Sequence, residues 1–178
     1  MKKLKSIVLF LLMGSVAVTG YSQSEKEQKL IKEADAAVAE MLKVDPGLRE
    51  YFDKAAGCAV FPNVGKGGLI IGGASGNGVL YEYGQKIGMA SLKELNVGLQ
   101  AGGEALMEVI FFEKKEDVDD FKEGKFAFDA GASATALKAG ISKDMKYKDG
   151  VAVFTYTKGG LMADASVGGQ KFKFKPFK

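Results

Sequence analysis

Eight lysines, Lys143, Lys146, Lys148, Lys158, Lys171, Lys173, Lys175 and Lys178, stand against three acidic residues over residues 140–178, a net of +5. Residues 24–139 carry 14 basic and 19 acidic residues, a net of −5. Such asymmetry is a means of attracting an anionic partner to one end of a molecule. Lysines on a sheet edge that block edge-to-edge pairing would leave the same trace, and the sequence leaves both readings open. Without Lys2, Lys3 and Lys5 the chain has 22 basic and 22 acidic residues. No nucleic-acid partner is expected of so balanced a chain.

Covalent chemistry is harder to assemble. The chain contains no histidine, which removes the Ser-His and Cys-His mechanisms and the commonest metal ligand. Cys58 is the only cysteine and sits among Gly57, Ala59, Val60 and Phe61, where it reads as a small core hydrophobe. A nucleophile would need a base beside it. Gly73-Ala74-Ser75-Gly76-Asn77 fails the nucleophile-elbow pattern. Gly65-Lys66-Gly67-Gly68 has neither the third spaced glycine of a dinucleotide fingerprint nor the Ser/Thr of a phosphate loop. Paired carboxylates are more often solvated surface than an acid–base pair. The expectation is a non-enzymatic protein with no catalytic residue, no cofactor and no metal.

The elements that would position the lysines follow from patterning. Ser24-Glu25-Lys26-Glu27 has the spacing of a capping box, and Ile31, Ala34, Val38 and Leu42 form one stripe, which predicts a helix over 25–44. That helix holds four lysines and five acids, so its stripe reads as core-packing rather than membrane-inserting. Asp45-Pro46 predicts the N-cap and first residue of a short second helix, with Gly57 as its C-cap. From Cys58 onward the pattern turns to strand. A short strand over 58–62 closes at Pro62, and Gly76-Asn77-Gly78 reads as a hairpin turn between 69–74 and 79–83. Residues 87–99 read as an interrupted strand. Residues 104–112 alternate, with Ala105, Met107, Val109 and Phe111 on one face and Leu106, Ile110 and two glutamates on the other. A short helix is expected over 116–123 with Val118 and Phe121 inward. Strands are expected over 126–137, 145–148, 151–157 and 161–167, with a turn at Asp149-Gly150. Residues 171–175 alternate lysine and phenylalanine strictly, as a half-buried last strand does. The fold class expected is α+β, with N-terminal helices packed on a strongly bent, barrel-like antiparallel sheet.

At the N-terminus, three lysines precede an apolar run from Ile7 to Met13, with small residues at Gly20 and Ser22. That order reads as a signal peptide over 1–22, followed by a single domain over 23–178. The run falls short of the ~20 residues of a membrane span. No cysteine lies near the cleavage region, which excludes an acylated lipoprotein N-terminus. The chain is expected to be exported, periplasmic or secreted, with peripheral membrane association.

Several segments resemble the SYLF-domain family. Ala55-Ala56-Gly57-Cys58-Ala59-Val60-Phe61-Pro62 is similar to its opening motif. Lys66-Gly67-Gly68-Leu69, Gly72-Gly73 and Gly76-Asn77-Gly78-Val79 resemble its glycine-rich hairpin. Val97-Gly98-Leu99-Gln100-Ala101-Gly102 and Tyr156-Thr157-Lys158-Gly159-Gly160-Leu161 resemble its central and closing blocks. The resemblance spans 55–170 and implies a lipid-binding module. Eukaryotic members bind phosphoinositides and some bundle actin. The acidic first helix and the Tyr81-Glu82-Tyr83-Gly84 segment depart from that pattern, so neither ligand is carried over. The repeat of Lys66-Gly67-Gly68-Leu69 as Lys158-Gly159-Gly160-Leu161 places two lysines at equivalent strand starts, or is coincidence in a glycine-rich chain. The candidate lipid-binding residues are Lys66, Lys158, Lys171, Lys173 and Lys175. The partner expected is an anionic phospholipid surface. A structural or protein-interaction role in the cell envelope is the alternative.

Overall fold

The first helix, α1 (Glu25–Val44), begins where its capping box places it: the Glu27 amide donates to Ser24 Oγ at 3.3 Å and the Ser24 amide donates to the Glu27 carboxylate at 3.0 Å. Both contacts satisfy amides that a helix start leaves without intrahelical partners. The computed structural model describes residues 24–67, 72–96, 104–128, 133–157, 165–167 and 169–177. The expected signal peptide therefore lies outside the described residues, as do most of the interrupted and repeated glycine segments.

Asp45 closes α1 rather than opening α2 (Leu48–Lys54), whose N-cap is Gly47. Its carboxylate accepts from the amides of Gly47, at 3.0 Å, and of Ser142, at 2.8 Å. One buried carboxylate thus pins a distant turn to the helix junction. Gly57 does not cap α2 either. It opens β1 (Gly57–Gly67) and lies so close to the next strand that a Cβ there would stand 2.6 Å from the Tyr81 carbonyl oxygen.

Strand β1 runs on through Pro62, where its register slips against both neighbours. A bulge is the place where a strand tolerates a proline, which donates no ladder hydrogen bond. The expected turn at Gly76-Asn77-Gly78 is not a turn. These residues lie in the middle of β2 (Gly72–Glu82), and a Cβ on Gly78 would sit 2.4 Å from the Val60 carbonyl oxygen. The turn between β2 and β3 (Gln85–Asn96) is Tyr83-Gly84, both with positive φ, as a two-residue hairpin loop requires.

Strand β4 (Glu104–Phe112) leads into α3 (Lys115–Lys122), whose Val118 and Phe121 are buried as expected. Among the described residues of the expected strand over 126–137 are a bridge at Ala127 and β5 (Ser133–Ala136); residues 129–132 lie outside them. Residues 145–148 form no strand beyond the Lys148–Val151 bridge; a 3-10 turn over Ile141–Lys143 precedes them. Asp149-Gly150 makes the expected turn into β6 (Val151–Thr157). Two short strands complete the set, β7 (Ala165–Ser166) and β8 (Gln170–Pro176).

Seven strands carry the sheet and the two-residue β7 extends one edge, in the order β7-β5-β6-β4-β1-β2-β3-β8. Every pairing is antiparallel except β5 with β6. The α+β class holds, but the expected barrel-like sheet is corrected: the sheet is open, and no ladder joins its two edges among the described residues. Toward the segment that precedes β5, the described residues of β8 make an isolated bridge, Lys171 with Ala127, rather than a ladder.

Alternate residues of the same strands bury two separate clusters. One lies under α1 and α2, where Ala34, Ala37, Met41 and Leu48 meet Val60, Val79, Val109, Phe111 and Phe154. The other lies on the opposite face under α3, where Phe61, Ile110, Phe112, Phe121 and Phe172 meet. The alternation expected for residues 105–112 is what divides β4 between them.

Candidate functional site

Strand β8 is half core and half surface. Gln170 and Phe172 point into the sheet interior, whereas Lys171, Lys173 and Lys175 are exposed on its outer face. Antiparallel pairing sets Lys171 opposite Lys93, Lys173 opposite Ser91 and Lys175 opposite Met89. Lys93 is also exposed, so four ammonium groups share one strip of the outer face. Like charges directly opposite one another destabilise a strand pair. None of the ion pairs among the described residues includes any of these four lysines. Other lysines are paired: Asp35 takes Lys86 at 2.8 Å, and Glu82 and Asp119 take Lys115 and Lys122.

Lys66 does not join that strip. It pairs with Ala74 and Glu104, in the register row that continues through Glu94 to Gln170, one residue away from the row of Lys171. Lys158 lies outside the described residues. The strands that precede the repeated segments do end at the same end of the sheet, because β1 and β6 flank β4 and both run toward its first residues. Lys93 was missed from the sequence because nothing in its neighbourhood shows that β3 would be the partner of β8.

Beneath that row lies a second polar group that patterning only hinted at. Glu94, Glu108 and Gln170 are buried, and the Gln170 amide donates to the carboxylates of both glutamates, at 3.0 and 3.2 Å. Glu108 is one of the glutamates on the Leu106 and Ile110 face, so the signal was a charge at a core position. Neither carboxylate is open to solvent, and the cluster ties β8 to β3 and to the more distant β4. Such a buried network helps to hold strand order.

A cavity of about 300 Å³ opens between α1, α2 and the β2–β3 turn, with Asp35, Arg49 and Asp53 at its rim and Val38, Phe52 and Cys58 among its lining. Burial pushes the Cys58 thiol up to about 12, so it stays protonated and inert at neutral pH. Burial also raises the Tyr81 phenol, with the Asp35 carboxylate that accepts its hydrogen bond adding to the effect. No group of three or more Cys, Asp or Glu residues is placed to hold a metal among the described residues. Among those residues no helix is long and apolar enough to cross a membrane.

Residues 93–176 match a family model described as "Ysc84: Las17-binding protein actin regulator". Beta cell expansion factor A of Aeromonas veronii is 31% identical over 142 residues, covering 78% of this chain and 53% of that protein. The chain thus spans about half the length of the curated relative it matches.

Proposed function

We propose, from the premise that this chain belongs to the Ysc84/SYLF domain family, that it is a non-enzymatic protein that docks reversibly on anionic phospholipid surfaces of the bacterial cell envelope. The observation that carries this reading is the strip of Lys93, Lys171, Lys173 and Lys175, in which two lysines face each other across a ladder with no acid between them. An edge guard needs charge only on the edge strand. Lys93 is on β3, which is paired on both sides, so edge protection leaves it unexplained.

Lysines near an anionic bilayer contribute about 1 kcal/mol each, so four give roughly 4 kcal/mol, near a millimolar dissociation constant. Tyr83, 65% exposed at the β2–β3 turn, is the one large exposed apolar side chain among the described residues and adds an interfacial anchor. The sum fits weak, salt-sensitive and reversible binding rather than insertion. Lys66 joins the surface only if its end of the sheet also faces the lipid. The N-terminal leader makes the protein an exported one, periplasmic or secreted. Neither actin nor nucleic acid is a partner in this reading.

The test is co-sedimentation with phosphatidylcholine vesicles and with vesicles enriched in phosphatidylglycerol, at low and high salt. Binding is expected to the anionic vesicles only, and to fall by about tenfold or more in a Lys171→Glu, Lys173→Glu, Lys175→Glu variant. Equal binding by this variant would sink the lysine strip. Binding to neither vesicle by the folded protein would move the assignment to an envelope structural or protein-interaction role.

A further inference from the structure

The lysines of residues 140–178 do not all lie on β8. Lys143 and Lys146 line a separate cavity of about 460 Å³ between α2 and the 141–147 segment, together with Lys54, Tyr51, Tyr147 and Glu113. That volume is within the range of small-molecule sites. Its wall is fixed at several points. The Asp45 carboxylate accepts from the Ser142 amide, the Tyr51 hydroxyl donates to the Met145 carbonyl at 2.7 Å, and the Tyr51 and Tyr147 rings stand 5.5 Å apart.

Lys54 is held by Glu50 at 2.6 Å, but neither Lys143 nor Lys146 takes part in an ion pair among the described residues. We propose that this cavity binds a phosphate monoester, with the Lys143 and Lys146 ammonium groups and the Tyr147 hydroxyl as donors to the phosphate and Glu113 as acceptor for a hydroxyl of the ester. Lysine acts as a compact point charge, which suits the compact charge of a phosphate. Glu50 and Glu113 offset part of the lysine charge, but Lys54, Lys143 and Lys146 leave the lining net positive, and a dianion gains more from that than a singly charged carboxylate does. The Tyr147 phenol is pushed up to about 12 by burial, with Tyr51 and Glu113 adding to it, so it remains a donor at neutral pH. The site is separate from the β8 strip and stands whether or not that strip binds lipid.

The experiment is a titration of the folded protein with glycerol 3-phosphate, followed by amide NMR shifts at constant ionic strength. It is paired with binding to phosphatidic acid and phosphatidylglycerol vesicles, which present a monoester and a diester. Saturable shifts are expected at residues 142–147. Affinity should fall about tenfold or more in Lys143→Ala, Lys146→Ala and should be unchanged in the β8 triple variant. Binding of the soluble ester with no preference for phosphatidic acid identifies a free phosphate ester as the ligand; a preference for phosphatidic acid identifies a lipid headgroup. No saturable shift and no such preference overturn the proposal, as does binding that survives the Lys143 and Lys146 changes.

Discussion

The two faces of the sheet are built by alternate residues of the same strands, yet they are closed by different means. The face under α1 and α2 is closed by helix side chains: Ala34, Ala37 and Met41 of α1 lie on it, and Tyr51 and Phe52 of α2 pack against Phe111 and Phe154. The face under α3 is closed by rings. Phe172 lies within 5.1 to 6.0 Å, centroid to centroid, of Phe61, Phe121, Phe126 and Phe128, which come from β1, α3 and the segment that follows α3. A helix face is specified locally by its own periodicity, whereas a ring cluster exists only once distant segments have met. The difference teaches that β8 is both a structural keystone and a display strand. Its inner residues close a core, and that closure fixes the backbone that carries the outer lysines in one row.

The sharpest way to break this comparison is Phe172→Ala. Loss of a ring shared by four others is expected to destabilise the fold by about 3–5 kcal/mol in urea unfolding, without change in the outer lysines themselves. A loss below about 1 kcal/mol would show that rings do not hold this face. A smaller effect is expected on the helix side from Asp45→Asn, about 1–3 kcal/mol at neutral pH. Burial works against the Asp45 charge, but hydrogen bonds from Ser142, Gly47 and Gly140 outweigh it and hold its pKa below the ordinary value. A depressed carboxylate contributes its stability fully above the unfolded pKa near 4 and loses it as pH falls through the folded value. The difference between wild type and Asp45→Asn should therefore shrink in acid below about pH 4. A constant difference from pH 7 to pH 3 would remove the charge from the explanation. The smallest effect belongs to the outer row: Lys171→Glu, Lys173→Glu, Lys175→Glu should change stability by no more than about 0.5 kcal/mol, and relieving the Lys93–Lys171 opposition makes a slight gain possible. A large destabilisation would mean that the row is structural after all.

Much of this was legible without coordinates. The Ser24 and Glu27 spacing located the start of α1, the alternation over residues 104–112 divided β4 between two faces, and the Lys-Phe alternation separated the inner and outer rows of β8. Each of these is a local signal, in which the residues that define the pattern are also the residues that make the contact. The glycines misled for the opposite reason. Gly76-Asn77-Gly78 has hairpin chemistry, but its glycines answer to the close approach of Val60 and Asn63 on β1, a distance no local pattern encodes. Asp45 and Pro46 likewise looked like a helix start because nothing near them announced Ser142, 97 residues away.

The sequence by itself determined that the chain has amphipathic helices followed by strands, a basic C-terminal segment and no histidine for acid–base work. Tertiary structure decided which charges stand together. Strand order placed Lys93 beside Lys171 and left Lys66 in a different row, and the packing of the 141–147 segment on α2 set Lys143 and Lys146 around a separate cavity. The physical reason is that periodicity fixes the face a residue takes on its own strand, while pairing between distant strands fixes its neighbours, and electrostatics depends on neighbours.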